Sequence, residues 1–151
     1  MRSVVQRVLS ASVMVGGKEV AGIGRGLLVF LAVGRGDSRK DADYMARKLN
    51  GLRIFPCENG TRESDLSLGQ VNGEFLVVPQ FTLMGDLRKG NRPSFGVAEA
   101  PDGAVHLIDD VVGQLIEYGN RVRKGSFREH MIVTIVNDGP YTVLLDSKKV
   151  F

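Results

Sequence analysis

Residues 27–33, LLVFLAV, place seven apolar side chains in a row, and this run constrains the fold more than any other stretch. It is too short for most helices and far short of the roughly 20 residues that a membrane span needs. A strand with one wet face alternates apolar and polar residues; one with no alternation is covered on both faces. The run is therefore expected to be a fully buried strand. It follows the glycine-rich stretch GIGRG at 22–26. A dinucleotide-binding loop sets such glycines between a strand and a helix. Here they lead into a strand, so no phosphate loop is expected.

The chain has 151 residues, 43% of them hydrophobic and 25% charged, which fits one globular domain over 1–151. The N-terminal MRSVVQRVLSASVMV carries arginines and lacks the continuous apolar core of a signal peptide. Cys57 is alone, so an internal disulfide and a CxxC metal knuckle are excluded. A cytoplasmic protein that does not enter the membrane is expected. The formal charge of +3 permits a polyanionic partner without demanding one. Basic residues cluster at RKGNR (88–92) and RVRK (121–124).

Along the chain, residues 2–15 read as two strands with a short break, and Gly16-Gly17 as a turn. Residues 37–52 read as a helix with Asp37 or Ser38 as its cap and Ala42, Met45, Ala46 and Leu49 on one face. Residues 52–55 form a short strand stopped by Pro56, and 57–73 are loop-like. Residues 73–83 hold a strand core in which Pro79, lacking an N–H, marks an edge, a bulge or an end. A long helix is expected from Pro101 to about Lys124, and two last strands at 131–136 and 141–145. Strands and two helices in one domain suggest α+β, or a mixed α/β sheet with helices packed on it.

The chemistry-bearing residues are sparse. His106 and His130 have no cysteine nearby and no HExxH pattern, so no metal is expected. There is no GxSxG elbow. Thr82 reads as a strand-end hydroxyl able to face a pocket or as an ordinary β-branched residue. Gln80 reads as a surface amide. Arg7 either faces solvent or clamps another element through its five donors. NDGPYT (137–142) is turn chemistry between two apolar runs, a tight turn on its face.

Several motifs, taken in order, resemble one family: QRV (6–8), GLLV (26–29), RIF (53–55), VVPQFTL (77–83), RPSF (92–95) and NDGPYT (137–142). That family is the D-aminoacyl-tRNA deacylases, and the resemblance spans essentially the whole chain. It implies their single-domain α/β fold, with a mixed or barrel-like sheet and two main helices. It implies a homodimer that needs no cofactor and takes the aminoacyl-tRNA 3′ end as partner. The implied reaction hydrolyses the ester of D-aminoacyl-tRNA, and of glycine mischarged on tRNA-Ala, with help from the terminal ribose 2′-hydroxyl. The implied site residues are Gln80, Phe81 and Thr82 around the aminoacyl group, with N–H groups near Phe81 and Thr82 on the oxyanion. Gly139 and Pro140, joined by a cis bond, would enter the partner subunit's site and repel an L side chain. Arg7 would hold them, with Pro79, Asn137 and Thr142 in supporting positions.

Two departures from the family pattern stand out. Pro79 replaces a usual Ser, and Thr61 to Leu66 replaces a segment usually read as GKMNLSL. A sister branch has Pro at this point and Tyr after Gly-Pro, as here; it removes L-alanine from mischarged tRNA, with Gly-Pro in trans. Phe81 is the residue of the D-specific branch, and D-specificity is the favoured reading. The alternatives are the L-alanine branch and a non-catalytic tRNA-binding module. Arg88, Lys89, Arg121 and Lys124 are charge-based candidates for contact with tRNA.

Overall fold

The first strand, β1 (Arg2–Val15), runs unbroken for 14 residues in the computed structural model, which describes residues 1–57 and 59–150. Two strands were expected here. The irregularity is instead taken up by register shifts against the last strand, between Gln6 and Val8 and between Val8 and Ser10. Such bulges bend a strand without ending it. The chain turns at Gly16-Gly17 and returns as β2 (Lys18–Ile23) and β3 (Gly26–Ala32), both antiparallel to β1.

The expectation for residues 27–33 is met by β3. Leu27, Val29 and Leu31 join the core under the helices, while Leu28 joins a second core on the opposite face with Val13, Ile23, Leu76 and Val78. Successive side chains of a strand point to opposite faces, so two buried faces require an unbroken apolar run.

Helix α1 (Arg39–Asn50) begins at Ser38, whose N–H donates to the Asp41 carboxylate at 2.9 Å in a capping box. Its Ala42, Met45, Ala46 and Leu49 are buried as the spacing predicts. Next come β4 (Arg53–Phe55), the two-residue β5 (Leu66–Ser67) paired with it, and β6 (Glu74–Pro79), parallel to β3. Pro79 is the last residue of β6, where a missing N–H is tolerated. A 3₁₀ turn, Phe81–Met84, follows at once.

Helix α2 (Pro101–Glu117) starts at Pro101 as expected but ends earlier than Lys124. Gly119 adopts a φ of +86°, and the chain re-enters the sheet as β7 (Arg121–Lys124), parallel to β6. The last strand is β8 (Ile132–Asp146). Two strands around a tight turn were expected there. NDGPYT instead lies inside one long strand that pairs with β1 on both sides of it, so its turn chemistry forms a bulge.

The main sheet has the order β2-β1-β3-β6-β7, with β8 on the other edge of β1. β2 curls toward β6 and β7, which nearly closes the sheet into a barrel around the second core. Both helices pack outside it. No helix among the described residues is long and apolar enough to cross a membrane.

Parallel pairing of β3 with β6 depends on a close backbone approach. A Cβ placed on Gly26 would lie 2.0 Å from the Glu74 carbonyl oxygen. Gly26→Ala is expected to lower stability by about 1–3 kcal/mol, because the strands must separate. Urea unfolding would show it as a lower midpoint at unchanged slope.

Candidate active site

The strand ends of β3 and β6 converge on a cleft of ≈ 710 Å³. Leu31 and Pro79 line it from the sheet, Val33 from just past β3, Ala104 and Ile108 from α2, and Phe127 from the segment before β8. The walls are mostly apolar, with Gln80, Glu99, Arg128 and His130 as polar members. That is the composition of a ligand pocket with a few orienting groups.

Gln80 follows the last residue of β6, and its N–H continues the ladder by donating to the Leu31 carbonyl at 2.9 Å. Its side-chain amide reaches the Thr82 hydroxyl. Thr82 lies in the 3₁₀ turn and not at a strand end, because Pro79 stops the ladder one turn earlier. Phe81 is 58% exposed and packs edge-to-face on Phe95, with ring centroids 5.0 Å apart. The first N–H groups of a helical turn have no intrahelical acceptor. Those of Phe81 and Thr82 donate to no backbone carbonyl elsewhere among the described residues. Two donors therefore stand together beside the cleft. The partner of the Thr82 hydroxyl is an amide, which cannot take up its proton.

The second group gathers on β1 and β8. Arg7 is only 5% exposed, and it points inward as a clamp instead of facing solvent. Its Nη1 donates to the Ile54 carbonyl at 2.7 Å, and its Nε donates to the Asp138 carbonyl at 3.1 Å. The Asp138 carboxylate lies 3.2 Å from the same Nε, and the guanidinium sits 5.0 Å from the Tyr141 ring centre. Asp138 and Tyr141 flank Gly139-Pro140, whose peptide bond is cis. Both residues of that pair are exposed. Asn137 pairs with Val8 across the ladder, and the Gln6 amide donates to the Thr142 hydroxyl at 3.3 Å.

The two groups do not meet within one chain. Arg7 pairs with Leu27, whereas Gln80 bonds to Leu31, four residues further along β3. That spacing is about 13 Å of strand. Gly139 and Pro140 do not line the cleft.

Three of the four basic candidates are engaged inside the chain. Arg88 grips Asp86 through two bonds, at 2.9 and 2.7 Å, and holds that carboxyl down to about 2. Arg121 donates to the Asn72 carbonyl, and Lys124 pairs with Asp109. Phe95, Phe127, Glu63 and Ser64 have no individual role in the sequence reading. Phe95 carries a signal as the last residue of RPSF, and Glu63 and Ser64 fall in the 61–66 stretch that departs from the family pattern. Phe127 comes from a loop with no motif of its own.

A family model described as D-Tyr-tRNA(Tyr) deacylase matches residues 4–146. The D-aminoacyl-tRNA deacylase of Thermosipho africanus is 52% identical over 151 residues, covering 100% of both chains. The protein of the same name from Thermotoga petrophila is also 52% identical with the same coverage. Among solved structures, the c-Myc DNA unwinding element binding protein superposes with a TM-score of 0.90 at 38% identity, over 97% of this chain and 98% of that one.

Proposed function

Because the chain belongs to the D-Tyr-tRNA(Tyr) deacylase family, it is a hydrolase of the D-aminoacyl-tRNA ester, and we propose how its residues do this work. The aminoacyl ester docks at the cleft beside Gln80, Phe81 and Thr82. The two N–H groups of Phe81 and Thr82 receive the ester carbonyl and stabilise its negative charge as the tetrahedral intermediate forms. Fixed donors aimed at developing charge are among the strongest contributors to acyl-transfer catalysis. No side chain serves as nucleophile. The 2′-hydroxyl of the terminal ribose, already held next to the ester, assists the attack of a water on the ester carbon, and the ribose 3′-oxygen leaves with a proton, giving free tRNA and the amino acid. The observation that carries this reading is the exposed start of the Phe81–Met84 turn, with two unclaimed donors and no base on Thr82.

Chirality is read by a second copy of the chain. Gly139-Pro140 is exposed, follows the Asp138 that Arg7 holds, and does not line its own cleft. In a homodimer it enters the partner's cleft, and its carbonyl oxygens face the position that an L side chain would occupy. A D side chain, or the hydrogen of glycine, escapes them, so glycyl-tRNA mischarged on tRNA-Ala is also a substrate. Rejection by a misplaced repulsive group is an efficient route to specificity. The long edge of β8 with Ile132, Val136 and Leu144 exposed supports a face for that second copy.

Purified protein is expected to deacylate D-Tyr-tRNA and glycyl-tRNA-Ala while sparing L-Tyr-tRNA, and to elute as a dimer. Turnover of L-alanine on mischarged tRNA with D-Tyr-tRNA spared would move the chain to the sister branch. Salt-sensitive tRNA binding without any deacylation would make it a binding module.

A further inference from the structure

One stretch in which this chain departs from its family's usual sequence, Thr61 to Leu66, touches Tyr141, the residue that follows Gly139-Pro140. Ser64, in the loop between β4 and β5, meets Tyr141 hydroxyl to hydroxyl. Nothing in the mechanism above uses either residue. From this contact we infer that Ser64 and Tyr141 are positioning residues that fix the C-terminal side of Gly139-Pro140. The inference rests on the cross-subunit reading of that dipeptide.

The loop carrying Ser64 is itself tethered. Asp65 donates its N–H to the Phe55 carbonyl at 2.9 Å. Its carboxylate accepts from Arg53 at 3.0 Å and from Arg62 at 3.2 Å. Ser64 is therefore presented from an anchored stretch next to β4. Tyr141 is gripped on two sides, with its ring under the Arg7 guanidinium at 5.0 Å and its hydroxyl on Ser64. Glu63 lies 3.8 Å from the same guanidinium.

Arg7 holds Asp138, the residue before the dipeptide, and Tyr141 is the residue after it. One side is fixed by Arg7 alone, the other by the Tyr141 ring and hydroxyl together. A dipeptide that projects from its own subunit needs both sides fixed if its carbonyls are to meet a side chain in another. Small misplacements of a positioning group have large kinetic effects.

The test compares kcat/KM for D-Tyr-tRNA and L-Tyr-tRNA in the full-length Ser64→Ala, Tyr141→Phe and double variants. Tyr141→Phe keeps the ring over Arg7 and removes only the hydroxyl. Each single change is expected to lower the D-to-L ratio by roughly three- to tenfold, through increased L cleavage. The double variant should lose no more than the worse single, because one contact is removed in every case. Ser64→Thr, which retains a hydroxyl, should restore the ratio. A purely structural contact would lower thermal stability and leave the ratio alone. Unchanged ratios in both single variants, against a wild type that discriminates, would overturn this inference and leave the proposed function standing. Losses that multiply in the double variant would overturn it too. A wild type that cleaves both enantiomers alike would bring down both.

Discussion

D-Tyr-tRNA whose terminal ribose lacks the 2′-hydroxyl is expected to be deacylated at least about a hundredfold more slowly than the natural substrate. Ester hydrolysis needs an activated oxygen, and a protein hydroxyl becomes one only with a base beside it. The Thr82 hydroxyl is bonded to the Gln80 amide, which has no basic lone pair to offer. What the chain supplies is a pair of N–H donors and a shaped cleft. On the proposed mechanism the attacking oxygen is that of a water, and the group that activates it comes from the substrate side, where the ribose 2′-hydroxyl is adjacent to the ester. Thr82→Ala provides the complementary arm. Its loss should stay within about tenfold, since it disturbs an orienting contact only. Single-turnover rates with natural and 2′-deoxyadenosine-ended tRNA measure both. Full activity on the deoxy substrate, together with an inactive Thr82→Ala, would reverse the assignment and make Thr82 the nucleophile.

Gly139→Ala is expected to reduce the preference for D-Tyr-tRNA over L-Tyr-tRNA by about thirtyfold, equivalent to some 2 kcal/mol of lost repulsion against the L transition state. Gly139 has a φ of +152°, and a Cβ there would sit 2.3 Å from the Tyr141 amide nitrogen. No real Cβ is accommodated at that distance, and the obstacle is backbone, so the dipeptide itself must shift. The residue is exposed within a strand that pairs with β1 on both sides, so the fold should survive the change. Sizing chromatography checks that the variant keeps the proposed dimer, and paired D and L kinetics give the ratio. A folded, dimeric variant with the wild-type ratio would show that these carbonyls do not set chirality.

Much of the scaffold is legible in the sequence. The seven-residue apolar run announced a doubly buried strand, because side chains that alternate between two faces must all be apolar when both faces are covered. A cap at Ser38, one of the two candidates, and the Pro101 start are local chemistry and lie where expected. The errors share a cause. The break in 2–15, the turn in NDGPYT and the helix through 121–124 all follow from local propensity. In each case a neighbouring strand supplied hydrogen bonds that outweighed it: β8 across the bulges of β1, β1 on both sides of Gly139-Pro140, and β6 beside Arg121–Lys124. Tertiary pairing routinely overrides propensities worth less than 1 kcal/mol per residue.

The candidate site divides the same way. The peptides VVPQFTL and NDGPYT stand out as motifs, and Arg7 as an arginine among apolar neighbours, because their residue types and order are written in the chain. That Arg7 turns inward to Ile54 and Asp138 depends on β4 and β8 arriving beside β1. That Ser64 reaches Tyr141 across 77 positions depends on where a loop without a motif is anchored. The sequence alone determined which residues are apolar on both faces, where α1 and α2 begin and that the chain carries deacylase motifs, since these follow from local chemistry and residue order. Only the tertiary structure decided that the N–H groups of Phe81 and Thr82 meet no backbone acceptor among the described residues and that Gly139-Pro140 is exposed outside its own cleft, because both are set by contacts between segments far apart in the chain.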